Sequence, residues 1–192
     1  MDLFTNPELF GYIDEYTDLR SLCDTCTLIL IFKKYIHYKL NKEHSLMYYD
    51  DISFRNRVLS KIFNPYKQLH LDLSECNQIT DVSKLGKTNT LLLMHCDKIT
   101  DVSPLGKVHN LDLSWCINIK DVSALGNVCT LNLSGCDITD VSALGKVRNL
   151  DLSYCDNIED VSALGNVSNL NLHGCLKIKD VSELGNVHTL TL

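Results

Sequence analysis

Long apolar runs, a basic excess, a secretory leader and a recognisable catalytic constellation are all missing from this chain of 192 residues. The longest uninterrupted apolar run, Leu28 to Phe32, is far shorter than the roughly 20 residues a membrane-spanning helix needs, so no membrane is expected. The chain opens MDLFTNPELF, with an acid at Asp2 and no basic stretch ahead of an apolar one, which argues against a secretory signal. Lys and Arg number 18 against 24 Asp and Glu, a formal charge of -6. Residues 1–67 balance nine basic against nine acidic side chains, whereas residues 68–192 hold nine against fifteen. An acidic surface repels phosphate backbones, which excludes nucleic acid and favours a neutral or basic protein surface as partner. There is also no phosphate loop, no nucleophile set beside a base and no carboxylate pair apart from a repeated pattern, so neither an enzyme nor a cofactor is expected.

Cysteine is present but excludes more than it suggests. The count is nine, an odd number, and six fall in file at Cys76, Cys96, Cys116, Cys136, Cys155 and Cys175, with spacings of 20, 20, 20, 19 and 20. That regularity marks repeat landmarks, not a disulfide framework, and it fits reduced thiols in a cytoplasmic setting. A small, nearly apolar side chain with a weak S–H donor suits a buried turn, whereas metal ligands must converge instead of marching in file. Cys23-x-x-Cys26 lacks a second ligand pair, and the seven histidines show no metal-binding spacing, so no metal is expected.

What is present is one phrase of about 20 residues, six times over, as in LDLSWCINIKDVSALGNVCT from Leu111 to Thr130. A fixed period in this range signals a solenoid, whose units bury their apolar faces against one another. Val108 to Leu113 alternates with period two, as a short strand does, pointing Leu111 and Leu113 inward. Serine, one variable residue and cysteine then turn the chain out of the sheet, and an isoleucine (Ile79, Ile99, Ile119, Ile138, Ile158, Ile178) re-enters the core. The phrase Asp-Val-Ser-x-Leu-Gly is long enough only for a turn of 3₁₀ character. Its aspartate (Asp81, Asp101, Asp121, Asp140, Asp160, Asp180) suits a turn or helix cap, and its glycine is expected to supply the permissive backbone that ends that turn. In one unit the loop Cys136-Asp137-Ile138 is a residue shorter than the others, a deletion expected to alter curvature locally.

Val108, Leu111, Leu113 and Cys116 fit the pattern L-x-x-L-x-L-x-x-N/C, and the match recurs in six units. Residues 68–192, six full units and the start of a seventh, therefore resemble a leucine-rich repeat array. The resemblance implies an α/β solenoid with short parallel strands on a concave face and 3₁₀ or turn segments on the convex face. The concave face of such arrays is usually a protein-binding surface. The ITDVS-x-LG phrasing is further similar to leucine-rich proteins encoded by large DNA viruses of amoebae, which would place the protein in a host cytoplasm.

Columns of side chains that do not point inward should form that face. One column reads Asp72, Leu92, Asp112, Asn132, Asp151, Asn171 and Thr191, its neighbour Ser74, Met94, Ser114, Ser134, Ser153 and His173, and a third adds His95, Trp115 and Tyr154. Leu92 and Met94 break a polar, acid-rich background. Exposed aromatic and thioether side chains near carboxylates are what interface hot spots contain, so Leu92, Met94, His95, Asp112, Trp115, Asp151 and Tyr154 are the expected partner-binding residues. The competing reading is drift of one irregular repeat that packs against the helical domain beside it.

Residues 1–67 lack the repeat and read mainly as a small helical domain. Asn6-Pro7-Glu8 opens a helix, Leu9, Phe10, Ile13 and Tyr16 recur at helical spacing, and Phe54 to Phe63 reads as a further short helix. The order Pro7, Leu9, Ile13, Leu19, Leu22 resembles an F-box, the module that docks a receptor onto the Skp-type adaptor of cullin ubiquitin ligases. The resemblance implies adaptor docking through residues 1–45 and makes the chain a substrate-recognition subunit. A helical cap over one end of the solenoid is the alternative, and an array with no ubiquitin link, a scaffold or decoy, stays open with it. Leu190-Thr191-Leu192 begins a seventh unit, and an uncapped sheet edge there would allow self-association.

Overall fold

The computed structural model describes residues 38–61 and 68–192, which divide into two compact units, one reaching to Asp72 and the other beginning at Leu73. The expected docking residues Pro7, Leu9, Ile13, Leu19 and Leu22, and the pair Cys23 and Cys26, lie outside the described residues.

In the first unit, β1 (Tyr38–Lys39) runs parallel to β2 (Leu69–Asp72), with Tyr38 opposite Leu69. Two helices lie between them in sequence, α1 (Lys42–Asp50) and α2 (Ile52–Lys61). The expected helix over 54–63 is present two residues earlier, because Asp51 caps it: its Oδ1 accepts the Ser53 and Phe54 N–H groups at 2.7 and 3.1 Å. Helix α1 does not stand out in the sequence as a separate element, since KEHSLMYYD shows little apolar periodicity. Its start is set by Asn41, whose Oδ1 accepts from the His44 N–H at 2.9 Å. Arg55 joins the two helices by donating to the last carbonyls of α1, those of Tyr48 and Tyr49, each at 2.8 Å.

The second unit is built from the repeats. Its strands are β3 (Thr90–Leu92), β4 (Asn110–Asp112), β5 (Thr130–Asn132), β6 (Asn149–Asp151), β7 (Asn169–Asn171) and β8 (Thr189–Thr191). Consecutive strands pair in parallel and in strict register, Leu91 with Leu111, Leu131, Leu150, Leu170 and Leu190 in turn. Equivalent residues therefore form straight columns, and the sheet spacing of about 4.8 Å sets the rise per repeat. The shortened unit does not disturb this: Cys136 and Ile138 are both buried, and the register passes from β5 to β6 unchanged.

The repeats share seven core positions, filled in the third by Leu111, Leu113, Cys116, Ile119, Val122, Leu125 and Val128, all buried; in the sixth, Val181 is exposed and Cys175, Ile178 and Val187 are half-buried. Thr88 takes the place of the last valine in the first unit. Its buried hydroxyl is satisfied by donating to the Leu85 carbonyl at 2.8 Å. On the opposite side from the strands, 3₁₀ turns run Ser103–Leu105, Ser123–Leu125, Ser142–Leu144, Ser162–Leu164 and Ser182–Leu184. The aspartates start these turns as expected. Asp121 Oδ1, for example, accepts the Ser123 N–H at 2.9 Å, and this bond holds the carboxyl below its usual range. The turn bond is thus present above the ordinary carboxylate pKa of about 4 and is lost as pH falls through the lowered folded value.

The glycines have a different reason from the one expected. Gly106, Gly126, Gly145 and Gly165 sit near φ −60°, a conformation open to any residue. A β-carbon on each would instead collide with a backbone carbonyl of the next repeat, that of Ala124, Ala143, Ala163 and Glu183 respectively. Close stacking of adjacent turns, not backbone freedom, selects glycine there. Gly185 shares the conformation, yet nothing lies within 4 Å of its β-position. Gly126→Ala should therefore destabilise the unit by about 1 to 3 kcal/mol through overpacking. Gly185→Ala should be neutral or stabilise by up to about 1 kcal/mol, a contrast that thermal melts of the two variants check.

The cysteine file also acquires a mechanism. From the second repeat on, each thiol donates to a carbonyl of the preceding repeat: Cys96 to Leu73, Cys116 to Leu93, Cys136 to Leu113, Cys155 to Leu133 and Cys175 to Leu152, at 3.0 to 3.2 Å, whereas Cys76 donates to Ser74 of its own repeat at 3.6 Å. The asparagine usual at this position would do the same with a larger, more polar group. Burial pushes the Cys96 thiol up to about 11, and Cys116 and Cys155 up to about 12. Folding thus favours the neutral thiol. The stabilisation is complete below the free-cysteine pKa of about 8.5 and is lost as pH rises from there toward 12. Alkylation of the native chain near pH 8 should spare Cys96, Cys116, Cys136 and Cys155 and modify half-buried Cys129 first among the described thiols, as read by mass spectrometry.

Candidate functional site

The strand-bearing face starts from the same register. In each strand the residues flanking the central leucine point away from the core. This gives one column of Thr90, Asn110, Thr130, Asn149, Asn169 and Thr189 and a second of Leu92, Asp112, Asn132, Asp151, Asn171 and Thr191. Leu92, Asp112 and Asp151 are half-buried and Met94 is exposed. The serine column is not open as expected. Ser114 and Ser153 are buried, each donating its hydroxyl to the aspartate two residues earlier, at 2.6 and 2.7 Å.

The residue between serine and cysteine is where the face departs from an ordinary sheet. Glu75, His95, Trp115, Gly135, Tyr154 and Gly174 all have positive φ, from 56 to 76°. The ladder of parallel hydrogen bonds continues through this turn and pins the conformation: the Trp115 N–H donates to the Ser134 carbonyl at 2.7 Å, and that of Tyr154 to His173 at 2.8 Å. An L-residue pays about 1 to 2 kcal/mol to occupy this region, and bulky side chains occur there rarely. Gly135 and Gly174 avoid the cost, yet the solenoid keeps tryptophan and tyrosine at two positions where glycine would be easier.

The glycines also make room. A β-carbon on Gly135 would lie 2.5 Å from the Trp115 ring, and one on Gly174 would lie 2.8 Å from the ring of Tyr154. Each large ring therefore lies over the bare backbone of the following repeat. The rings form a continuous row. His95 and Trp115 are near-parallel with centroids 6.0 Å apart, Trp115 and Tyr154 are 6.3 Å apart at 27°, and Tyr154 meets His173 edge-on at 5.4 Å. Trp115 remains 43% exposed and Tyr154 51%, so the row shields little of its own apolar surface.

The structure thus brings His95, Trp115 and Tyr154 together in one row, places Met94 beside its start, and sets Asp112 and Asp151 in the adjoining strands. Sequence reasoning finds the rings but misses Gly135 and Gly174, which occupy the same column and act as seats. Their signal is the alternation Trp, Gly, Tyr, Gly down that column. Elsewhere, a shallow depression on the 3₁₀ side is lined by Glu159, Asp160, Ser162, Asp180, Ser182 and Glu183. Its Asp160 and Asp180 carboxylates already accept serine N–H groups at 2.9 Å. No group of residues arranged to hold a metal ion occurs among the described residues, and no described helix is long and apolar enough to cross a membrane.

A family model described as Leucine Rich repeat matches residues 128–145. Comparison with curated proteins finds no match. Among solved structures, internalin C2 from Listeria monocytogenes superposes with a TM-score of 0.50 at 25% identity, over 65% of this chain and 60% of that one. An internalin F from the same organism gives a TM-score of 0.52 at 23% identity, over 74% of this chain and 44% of that one. The present chain thus spans 60% and 44% of the length of these two structures, and the likeness is one of fold. Gly135→Ala should lift the Trp115 ring from its seat. It is expected to cost about 1 to 3 kcal/mol and to shift the emission of the sole tryptophan, whereas Trp115→Gly, a residue the column already uses, should alter stability by about 1 kcal/mol or less.

Proposed function

We propose that this leucine-rich repeat solenoid is a non-enzymatic protein-interaction module that engages its partner across the concave, strand-bearing face. The observation that carries the reading is the row of exposed rings held at positive φ. Backbone strain at Trp115 and Tyr154 is accepted for side chains that contribute nothing to the buried core. Large rigid rings with a thioether nearby supply contact area at low entropic cost, as interface anchors do. Leu92, Met94, His95, Asp112, Trp115, Asp151 and Tyr154 are the residues assigned to it.

A finer reading adds residues 1–45 as the docking segment for a Skp-type adaptor, which would make the chain the substrate receptor of a cullin-type ubiquitin ligase. It is supported by the order of Pro7, Leu9, Ile13, Leu19 and Leu22 and by the position of the repeats after them in the chain. A scaffold or decoy without a ubiquitin link is the alternative. A core file of buried thiols supports a reducing, cytoplasmic setting for either.

Full-length protein carrying Leu92→Ser and Trp115→Ser should keep its circular dichroism and melting profile but lose its partner in co-precipitation. Loss of the folded signal together with binding would count for packing and against the interface. Adaptor recovered by the wild-type chain and not by Leu9→Ser, Leu22→Ser protein supports the receptor reading. A partner captured with no adaptor supports the scaffold.

A further inference from the structure

The two large rings are not isolated anchors, because each belongs to a four-residue segment that occurs twice. Asp112-Leu113-Ser114-Trp115 and Asp151-Leu152-Ser153-Tyr154 place a carboxylate and a ring at identical positions of the third and fifth repeats. The repeat after each has asparagine in place of the aspartate and glycine in place of the ring: Asn132 with Gly135, and Asn171 with Gly174. The bonds within the two segments also match. In each, one carboxylate oxygen accepts both the serine N–H and the serine hydroxyl, at 2.9 and 2.6 Å for Asp112 and at 2.8 and 2.7 Å for Asp151. The second oxygen of Asp112 has no donor among the described residues, and that of Asp151 takes one bond, from Asn171 at 3.0 Å.

The face around them is acidic and holds most of its amide donors in bonds between repeats. Four of its five asparagine amides donate to a neighbouring repeat: Asn110 to Thr90, Asn149 to Thr130, Asn169 to Asn149 and Asn171 to Asp151. No lysine or arginine occupies any of its columns. Lysines occur in the loops after the cysteines, and two of them are already engaged, Lys120 by Asp137 and Lys177 by Asn157. Arg148 lies at the other end of its strand from Tyr154. A ligand suited to exposed rings beside carboxylates, on a surface that holds no cation of its own and has most of its asparagine amides engaged, is rich in donors and positively charged. Guanidinium meets both demands: it stacks on aromatic faces, carries five donors and no acceptor, and pairs with carboxylates.

We propose that the two segments are equivalent subsites for cationic side chains, and that the partner docks an extended stretch presenting two arginines on one side. The proposal rests on the reading that this face binds protein. The ring centroids lie 6.3 Å apart, close to the spacing of about 6.6 Å between alternate residues of an extended chain, so an Arg-x-Arg stretch brings one guanidinium to each ring, and the long arginine side chains splay to meet the two carboxylates, which stand two strands or about 9.6 Å apart.

Trp115 is the only tryptophan in the chain, so its fluorescence reports from inside the site. The full-length protein is titrated with a short Gly/Ser peptide carrying Arg-Ser-Arg, with matched peptides carrying Gln-Ser-Gln or Glu-Ser-Glu, and with a neutral oligosaccharide. The Arg peptide should give a saturable response at least about tenfold tighter than the Gln peptide, weakening as salt rises from about 0.05 to 0.5 M, with the Glu peptide silent. Asp112→Asn, Asp151→Asn and Tyr154→Gly copy residues that neighbouring repeats already carry at those columns, so folding is retained. Each should weaken the Arg peptide about three- to tenfold. Equal responses to the Arg and Gln peptides, no response to the Arg peptide, or a response to the oligosaccharide alone would overturn the cationic assignment. If co-precipitation of a protein partner still depends on Leu92 and Trp115 in that case, the interaction module stands and only its partner chemistry is wrong.

Discussion

Successive turns of the solenoid approach one another so closely that a single β-carbon at Gly106, Gly126, Gly145 or Gly165, each ending a 3₁₀ turn, would strike the backbone of the next repeat. That distance of approach governs the rest. It is set by the hydrogen-bond spacing of the parallel sheet on one side, and the other side must match it or the unit would splay. Glycine at the end of each 3₁₀ turn, a thiol that reaches back to the preceding repeat's carbonyl, and a buried isoleucine at the re-entry are three local answers to the same constraint. The thiol is compact enough to stack on itself in file and polar enough to give a second donor to a buried carbonyl that already accepts the N–H of the cysteine in its own repeat.

The same register turns small local differences into long-range geometry. Because every position recurs directly above its counterpart, an aromatic residue in one repeat has its neighbours chosen by the column, not by the chain around it. Trp115 and Tyr154 occupy backbone that prefers glycine, and each finds room because the next repeat supplies glycine in the same column. Strain and space are thus allotted alternately along the row. The aspartates beside the rings are held by serine hydroxyls that are themselves buried, which fixes each carboxylate relative to its ring without a neighbouring cation. A fixed, acidic, ring-bearing face on a rigid scaffold is suited to recognising shape and charge.

Much of this is legible by counting. A period of 20 with one unit of 19 announces a solenoid, since no other arrangement buries leucines at that spacing. The alternation around Leu111 and Leu113 gives the strand, and Asp-x-Ser gives the turn. The columns of the face follow from these, so Asp112, Trp115, Asp151 and Tyr154 fall into one group on periodicity alone. Two expectations fail, both where the next repeat decides. The turn glycines look conformational in the sequence, although they lie in an ordinary helical region and are selected by contact. The serines beside the aspartates look exposed by alternation, although Ser114 and Ser153 are buried.

By itself the sequence determined the repeat, the strand and turn within it, the apolar columns of the core and the composition of the outer face, because each depends only on the direction in which a side chain leaves a periodic backbone. Only the tertiary structure decided that the residue before each cysteine is left-handed, that the large rings rest on the glycines of the following turn, and that the thiols bond backwards to the preceding one. Those features depend on the distance between neighbouring turns, a quantity that no single repeat contains.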